Sequence, residues 1–432
     1  MIIKPDSLLE KAKKHLFVAG VGDTAEKLTS LNMAHGLAKI HHYQITRGLF
    51  PDCIFIGAPD ATVTRNANRW LRGIGYGGLI SWSGDFSILD IKPNGCGMLM
   101  GLLPELPPKE SVKKRWQELR RNPLRIDSRK IEWDLGAGNH FIILCTPRET
   151  EEKWNLPWKG PVFILHSSGK ENRGETELGP GLYWDQSRKL QKVMVTHSTP
   201  WGDLSVLEGI HAQEYHRHCI NVHSFQMKRR RLLAEALLGE YETLFNGTHQ
   251  GIHSPGNAVV GCYKFGPPEL SHMIQGPDNP DNPVVFPLTL RPDLPVYLLE
   301  PAQNFIPEVL EEMGWNDRLA EIGATRRVQE SNLLPHGGGT AYKYLQNPWV
   351  LRENGQRIFG AEIVDTPDRK SIFERLEHLT DVVADKRTVT FKHPRNLPFT
   401  YRGKEVLDRT LECRMGRKRG SLQICWSLGG KK

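Results

Sequence analysis

Cysteine and histidine, set beside glycine, recur at separated points of this chain. Cys96 lies in Gly95-Cys96-Gly97-Met98, Asn139 and His140 follow Gly136-Ala137-Gly138, and His166 opens His166-Ser167-Ser168-Gly169. Thr248-His249-Gln250 adds another imidazole, and His336 stands before Gly337, Gly338 and Gly339. A thiolate and several imidazoles are soft or borderline ligands, the set that holds a transition metal. Glycine lets backbone come close to a ligand, so an imidazole flanked by three glycines suits a phosphate or nucleotide. No short-range ligand spacing such as CxxC is present, so these residues act together only if the fold gathers them. Taken singly, each could be a satisfied core or turn residue.

The elements that must gather them are short apolar runs. Ile88–Ile91 reads as a strand leading to Cys96, and Phe141-Ile142-Ile143-Leu144 as a strand leaving His140. Val162-Phe163-Ile164-Leu165 is a strand that delivers His166 at its end. Cys53–Ile56 reads as a strand that ends in a turn at Gly57-Ala58-Pro59-Asp60, and Gly73–Gly78 as a flexible turn before Leu79-Ile80-Ser81. The glycine turn is not a phosphate loop, because no GK[ST] follows it. Residues 6–16 and 24–39 have helical spacing, with Asp6 and Thr24 as N-caps, and His41 and His42 are read as surface or capping residues. A basic helix is expected over 110–122, and the longest helix over 205–238, with His211, Tyr215, His218, Val222 and Phe225 on one face. Helices are also expected over 306–323 and 370–384. Residues 147–160 read as a polar loop. Residues 266–304 are proline-rich and read as an ordered, irregular insertion that should wrap a cleft rim. The basic C-terminal segment 388–432 alternates like strands.

The chain has 432 residues, 39% hydrophobic and 25% charged, which is ordinary for a soluble globular protein. Its net charge of +8 favours acidic partners, nucleic acid first. Lys113, Lys114, Arg115 and the run Lys228 to Arg231 are the candidate phosphate contacts. Seven scattered cysteines point to reduced thiols in a cytoplasmic protein rather than a disulfide scaffold. Met1–Leu16 lacks the apolar core of a signal peptide, and no run of about 18 apolar residues spans a membrane. Length alone suggests roughly three domains. The spread of the site residues instead predicts one mixed α/β (α+β) domain over 1–432 with a central metal-containing cleft.

The order of these motifs resembles the RtcB family of RNA-splicing ligases, from about Gly57 to about Lys343. Ala58-Pro59-Asp60 with Gly75-Tyr76-Gly77-Gly78 looks like its PD…GYG segment, and Gly95-Cys96-Gly97-Met98 like the end of DIGCGM. Gly136–Phe141 matches G-x-GNHF, and Leu165-His166-Ser167 with Arg173-Gly174 is similar to HSGSRG. Thr248-His249 falls at the family's HN pair, and His336-Gly337-Gly338-Gly339 resembles HGAG.

The resemblance implies a ligase that joins RNA 3′-phosphate or 2′,3′-cyclic phosphate ends to 5′-hydroxyl ends, in RNA repair or tRNA splicing, with GTP and two Mn²⁺ ions. His336 would be guanylylated. Cys96 would bridge the ions, with His140 on one and His166 and His249 on the other. Asn139, His336, Gly337, Gly338 and Gly339 would hold the nucleotide. The chain departs from the family pattern at Pro93, Ile143 and Thr340, where the family has Asp, Glu and Arg, and Asp90 is the candidate replacement carboxylate. Tyr263-Lys264-Phe265-Gly266 is what stands for HRKGA. Two other readings follow from these departures: a regulatory RNA-binding relative, and a metal-dependent phosphoesterase.

Overall fold

An eight-stranded antiparallel sheet, curled into a half-barrel, positions the chemistry. From edge to edge its strands are Ile274–Gln275, Glu242–Thr248, Gly97–Leu102, Val162–Ser167, Phe141–Pro147, Gly416–Gly429, Val296–Pro301 and Phe286–Leu288. The structure is a computed structural model, and it describes residues 5–127, 129–136, 138–148, 156–177, 179–266, 272–353, 356–379 and 381–429. Ala137 of the glycine stretch and residues 149–155 of the expected polar loop lie outside these.

Both faces of the sheet are covered, which is why its central strands read as unbroken apolar runs. Side chains alternate across a strand. Met98, Met100, Ile143, Cys145, Val162 and Ile164 enter one core, while Leu99, Ile142, Leu144, Phe163 and Leu165 enter another. The second core is closed by Leu233, Ala234 and Leu237 of the helix Gly209–Leu238 and by Val112 of the helix Lys109–Arg121.

A five-stranded sheet faces the first core. Its order is Leu16–Val18, Ile54–Thr62, Tyr76–Ser81, Asn257–Val260 and Gln250–Ser254. Ile54, Ile56, Leu79 and Val259 point toward the eight-stranded sheet. Phe55, Ile80, Ala258 and Val260 pack with Met33, Leu37 and Ile40 of the helix Thr24–Thr46. A separate four-stranded sheet, Leu345–Glu353, Gln356–Ile363, Thr388–Phe391 and Val382–Ala384, carries its own small core with Trp70. Among the described residues no helix is long and apolar enough to cross a membrane.

The mixed α/β class is as expected, but several elements differ. The segment Ile54–Thr62 is one fully buried strand, so Gly57–Asp60 is not a turn. Pairing with Gly78 and Tyr76 carries the backbone through, with an irregularity between Gly57 and Thr62. The strand after Gly73 already begins at Tyr76. Residues Leu89–Ile91 form a 3₁₀ turn after the strand Phe86–Ile88. The long helix starts at Gly209, because Leu204–Glu208 pairs as a strand with Phe86–Ile88. The first helices are Pro5–Lys14 and Thr24–Thr46, and Asp23 rather than Thr24 caps the second by accepting from Glu26 N–H. His41 lies inside that helix and is buried. Residues 306–323 form two helices, Pro307–Glu312 and Asn316–Ile322, with Gly314 at positive φ between them. The helix from Arg369 ends at Glu377, and the tail contains a further helix, Glu405–Glu412, burying Val406, Leu407 and Thr410. The proline-rich segment adds edge strands to the large sheet rather than standing apart from it.

Candidate functional site

Four neighbouring strands of the large sheet bring four ligating side chains to one edge. Cys96 immediately precedes Gly97–Leu102, and His140 immediately precedes Phe141–Pro147. His166 lies in Val162–Ser167, and His249 follows Glu242–Thr248. The register aligns them: Gly97 pairs with Thr248 on one side and Ser167 on the other, and His166 pairs with both Met98 and Phe141. His249 N–H also donates to the Cys96 carbonyl (2.9 Å).

The ligand atoms of Cys96, His140 and His166 all lie within 4.8 Å of one another, and all three residues are buried. Cys96 Sγ is 3.0 Å from His166 Nε2 and 3.5 Å from His140 Nε2. His166 Nε2 is in turn 3.3 Å from His249 Nε2. The far nitrogens fix the protons. His140 Nδ1 lies 2.9 Å from an Asp134 oxygen, and His166 Nδ1 lies 3.0 Å from the Asn139 carbonyl. The Asn139 carbonyl only accepts, so His166 Nδ1 carries its proton and its Nε2 presents a lone pair toward Cys96. A carboxylate or carbonyl behind a ligating histidine is the usual support of a metal site. A buried thiol and imidazole nitrogens gathered within this distance fit a cation held between them.

The electrostatics pair a Cys96 thiolate with a charged His140, whose proton a bound cation would replace. Burial opposes the Cys96 thiolate, yet His166, His249 and His140 around it hold the thiol well below its ordinary range. Burial and neighbouring His336 keep His249 neutral, far below the usual imidazole value. For His140, burial opposes the charge, but Cys96 and Asp134 raise it to about 10. Asp134 is itself pressed upward by burial, and is brought down to about 2 by Arg229, His140 and the Ser168 N–H.

Arg229 is fully buried, bonded to Asp134 (2.9 Å), Glu171 (2.6 Å) and Ser167 Oγ (3.1 Å). Arg230 is also buried, and bonds Asn246 Oδ1 (2.8 Å) and Thr248 Oγ1 (3.1 Å). The expected phosphate-binding run Lys228 to Arg231 is therefore corrected: its two central arginines face inward and brace the site strands. Arg231 is 3.6 Å from Asp278. Lys114 and Arg115 of the helix Lys109–Arg121 are exposed.

Asp90 does not join the ligand group. It accepts Ser205 N–H (3.1 Å) and lies 3.7 Å from Arg72, within the 3₁₀ turn that ends at left-handed Lys92. Pro93 is followed by Asn94, whose Oδ1 accepts the Cys96 N–H (2.9 Å). No carboxylate thus approaches Cys96 from this side. Ile143 is part of the apolar core.

His336 follows the short strand Leu333–Pro335, which pairs with Cys262–Lys264. Its ring stacks on His249 with centroids 4.1 Å apart and interplanar angle 29°. Its Nδ1 is 2.9 Å from Asp60 Oδ2, and its own N–H donates to the same oxygen (3.1 Å). Asp60 thereby fixes the proton on Nδ1 and leaves Nε2 with the lone pair. The Gly337 N–H also points to Asp60 (3.4 Å), so two of the backbone donors expected for a phosphate are taken by this carboxylate. Gly338 is needed for packing, since a Cβ there would lie 2.6 Å from the Arg402 carbonyl. Gly339 has φ +66°.

Cys96, His140, His166 and His336 share the wall of one cavity of about 500 Å³, with Asn139, Gly337–Gly339, Arg65, Arg69 and Arg291 also lining it. From the proline-rich segment, Thr289–Pro292 and Leu294–Val296 also line it. That volume falls within the usual range for a small-molecule pocket. Asp60 and Asp134 are residues of the candidate site to which the sequence reading gave no role. The available signal for Asp60 was an acid inside the apolar run Ile54–Thr62. Neither protein-family models nor curated proteins match this chain.

Proposed function

We propose that the chain is a GTP-dependent RNA ligase, joining 3′-phosphate or 2′,3′-cyclic phosphate ends to 5′-hydroxyl ends through guanylylated His336. The observation that carries this reading is His336 itself: an imidazole oriented by Asp60, stacked on His249, and placed beside the Cys96–His140–His166 group in one cavity. A histidine whose Nδ1–H is held by a carboxylate has its nucleophilic Nε2 free. The resemblance to the RtcB family in the order of its motifs supports the same reading, including a single RtcB-like domain.

In this reading His336 Nε2 attacks the α-phosphorus of GTP. A phosphoramidate bond forms, the α–β anhydride bond breaks, and pyrophosphate leaves. Asp60 stabilises the positive charge that grows on the ring. The RNA 3′-phosphate then takes GMP from His336, and the 5′-hydroxyl displaces GMP to close the phosphodiester. A cyclic phosphate end must first be opened by water. Asn139 and the glycines position the nucleotide phosphates.

The ligand set fits a divalent transition ion on the evidence of a buried cysteine and two histidines whose ligand atoms lie within 4.8 Å of one another. Cys96, His140 and His166 would hold one ion, and Cys96 with His249 would complete a pair. When bound, such ions neutralise charge on the phosphoryl oxygens. A cysteine and three histidines with no carboxylate suit zinc better than manganese by chemistry alone, and Mn²⁺ enters through the resemblance. The exposed Lys114 and Arg115 are a surface for RNA phosphates.

The test is joining of a 3′-phosphate RNA to a 5′-hydroxyl RNA with GTP and Mn²⁺. The parent should join them and His336→Ala should not, with metal content unchanged in both. Equal joining by His336→Ala sinks the nucleophile role. RNA binding without joining in the parent would turn the assignment to a regulatory RNA-binding protein.

A further inference from the structure

A second group of imidazoles lies away from the cavity. His216 and His223 stand two turns apart on one face of the helix Gly209–Leu238. That helix packs against the strand Gln250–Ser254. At Gly251 the absence of a side chain admits the His223 ring, since a Cβ there would sit 2.1 Å from His223 Nε2. His253 is two residues further along, at an irregularity in the strand pairing between Ile252 and Ser254. His272 covers both: its ring centroid is 4.9 Å from that of His253 and 6.1 Å from that of His223.

These nitrogens are buried without partners. His223 Nδ1, His216 Nε2 and both nitrogens of His253 are shielded from solvent and make no hydrogen bond. His223 is only 2% exposed. A buried polar atom left unpaired costs roughly 1–3 kcal/mol, and ring packing does not recover it. These unpaired nitrogens gather in one region, further apart than the ligand atoms around Cys96, and point to a ligand that accepts lone pairs.

We propose that His216, His223, His253 and His272 form a second metal site, for a borderline divalent ion of the zinc, nickel or copper class. Neutral imidazole is the form that ligates, and burial pushes both His223 and His253 down to about 3. The cations facing them are Arg230 near His223 and Lys264 near His253. Arg230 is tied to Asn246 and Thr248, and Lys264 Nζ donates to the Glu330 and Ser331 carbonyls (3.1 and 2.9 Å). With no carboxylate among its four ligands, the site disfavours calcium and magnesium, which take oxygen. The group is looser than the one around Cys96, and His272, which is exposed, is the side chain placed to close on an ion. His253 lies four residues beyond His249, roughly 13 Å along an extended chain, so the two sites would load independently. A metal here would pin the helix to the strand that follows His249.

The test is Co²⁺ titration of the metal-free, full-length protein. Cobalt at Cys96 gives thiolate charge-transfer absorbance, whereas an all-histidine site gives ligand-field absorbance alone. His272→Ala and His253→Gln should each remove one equivalent of Co²⁺, or weaken it at least tenfold, with the thiolate band intact. In a second arm, Cys96→Ala/His166→Ala should lose the thiolate band and keep the histidine equivalent. Unchanged stoichiometry and affinity in a folded His272→Ala protein would overturn the proposal. So would saturation of the parent by cobalt bound with the thiolate band alone.

Discussion

At the residue scale, two aspartates decide what the histidines can do. Asp60 sits behind His336 and accepts its Nδ1 proton, which leaves Nε2 with the lone pair, and Asp134 lies 2.9 Å from His140 Nδ1 and favours its charged form. Asp60→Asn keeps the shape but exchanges an acceptor-only group for one that can also donate. The proton on His336 is then no longer fixed, and in the proposed ligase the charge growing on the ring during attack would no longer be balanced. On the order of a 100-fold or greater loss in guanylylation rate is expected, read from single-turnover kinetics with metal content unchanged. A rate within a few-fold of the parent would show that Asp60 is only structural. The ligands themselves were legible in the sequence because each adjoins a strand and glycine. Asp60 was not, because it meets His336 across 276 residues, a separation no local pattern encodes. Asp90 was misplaced for a similar reason: the 3₁₀ turn, ending at left-handed Lys92, turns its carboxylate to Ser205.

At the element scale, the site depends on the helix Gly209–Leu238 bracing the ends of the site strands. Arg229 links that helix to Asp134, Glu171 and Ser167. Arg229→Ala would leave two buried carboxylates facing each other without a cation. A loss of roughly 3–5 kcal/mol is expected, the range for removing one partner of a buried ion pair. Denaturant unfolding of the metal-free protein checks it, and a loss below about 1 kcal/mol would contradict the bracing role. The sequence could not place this arginine, since a run of four basic residues on a helix covers a full turn. At least one of them must face inward when the helix is packed, and composition does not say which. Apolar strands, in contrast, were readable, because sheets covered on both faces leave unbroken runs such as Val162–Leu165. Boundaries failed where a run is shared between strand and turn, as at Gly57–Asp60 and Leu204–Glu208.

At the scale of the whole molecule, the interior carries histidines that fold only when neutral. His41 and His15 both bond the Cys53 carbonyl (2.8 and 3.0 Å), and burial holds them down to about 3 and about 4. An unfolded histidine titrates near 6.5. Between about pH 6.5 and 4 the unfolded chain therefore takes up protons that the native state refuses. Stability from these groups is present above about pH 6.5 and is lost as pH falls, by about 1.4 kcal/mol per pH unit for each group. The melting temperature should drop from pH 7 to pH 5, and His41→Gln should flatten that slope. An equally steep slope in the variant would show that His41 does not set it. The mixed α/β class was legible from the alternation of helical and apolar segments, whereas the four-stranded sheet and the helix Glu405–Glu412 were not. Their short elements carry too few periods to read, and only packing against Trp70 and the large sheet defines them.

All of these scales converge on whether His336 is a nucleophile. The direct measurement is incubation of the parent and His336→Ala with GTP labelled at the α-phosphate and Mn²⁺, followed by denaturing electrophoresis and acid treatment. The account predicts a covalent, acid-labile label on the parent that survives denaturation and is absent from His336→Ala. No label on a metal-loaded parent, or equal labelling of His336→Ala, would contradict it.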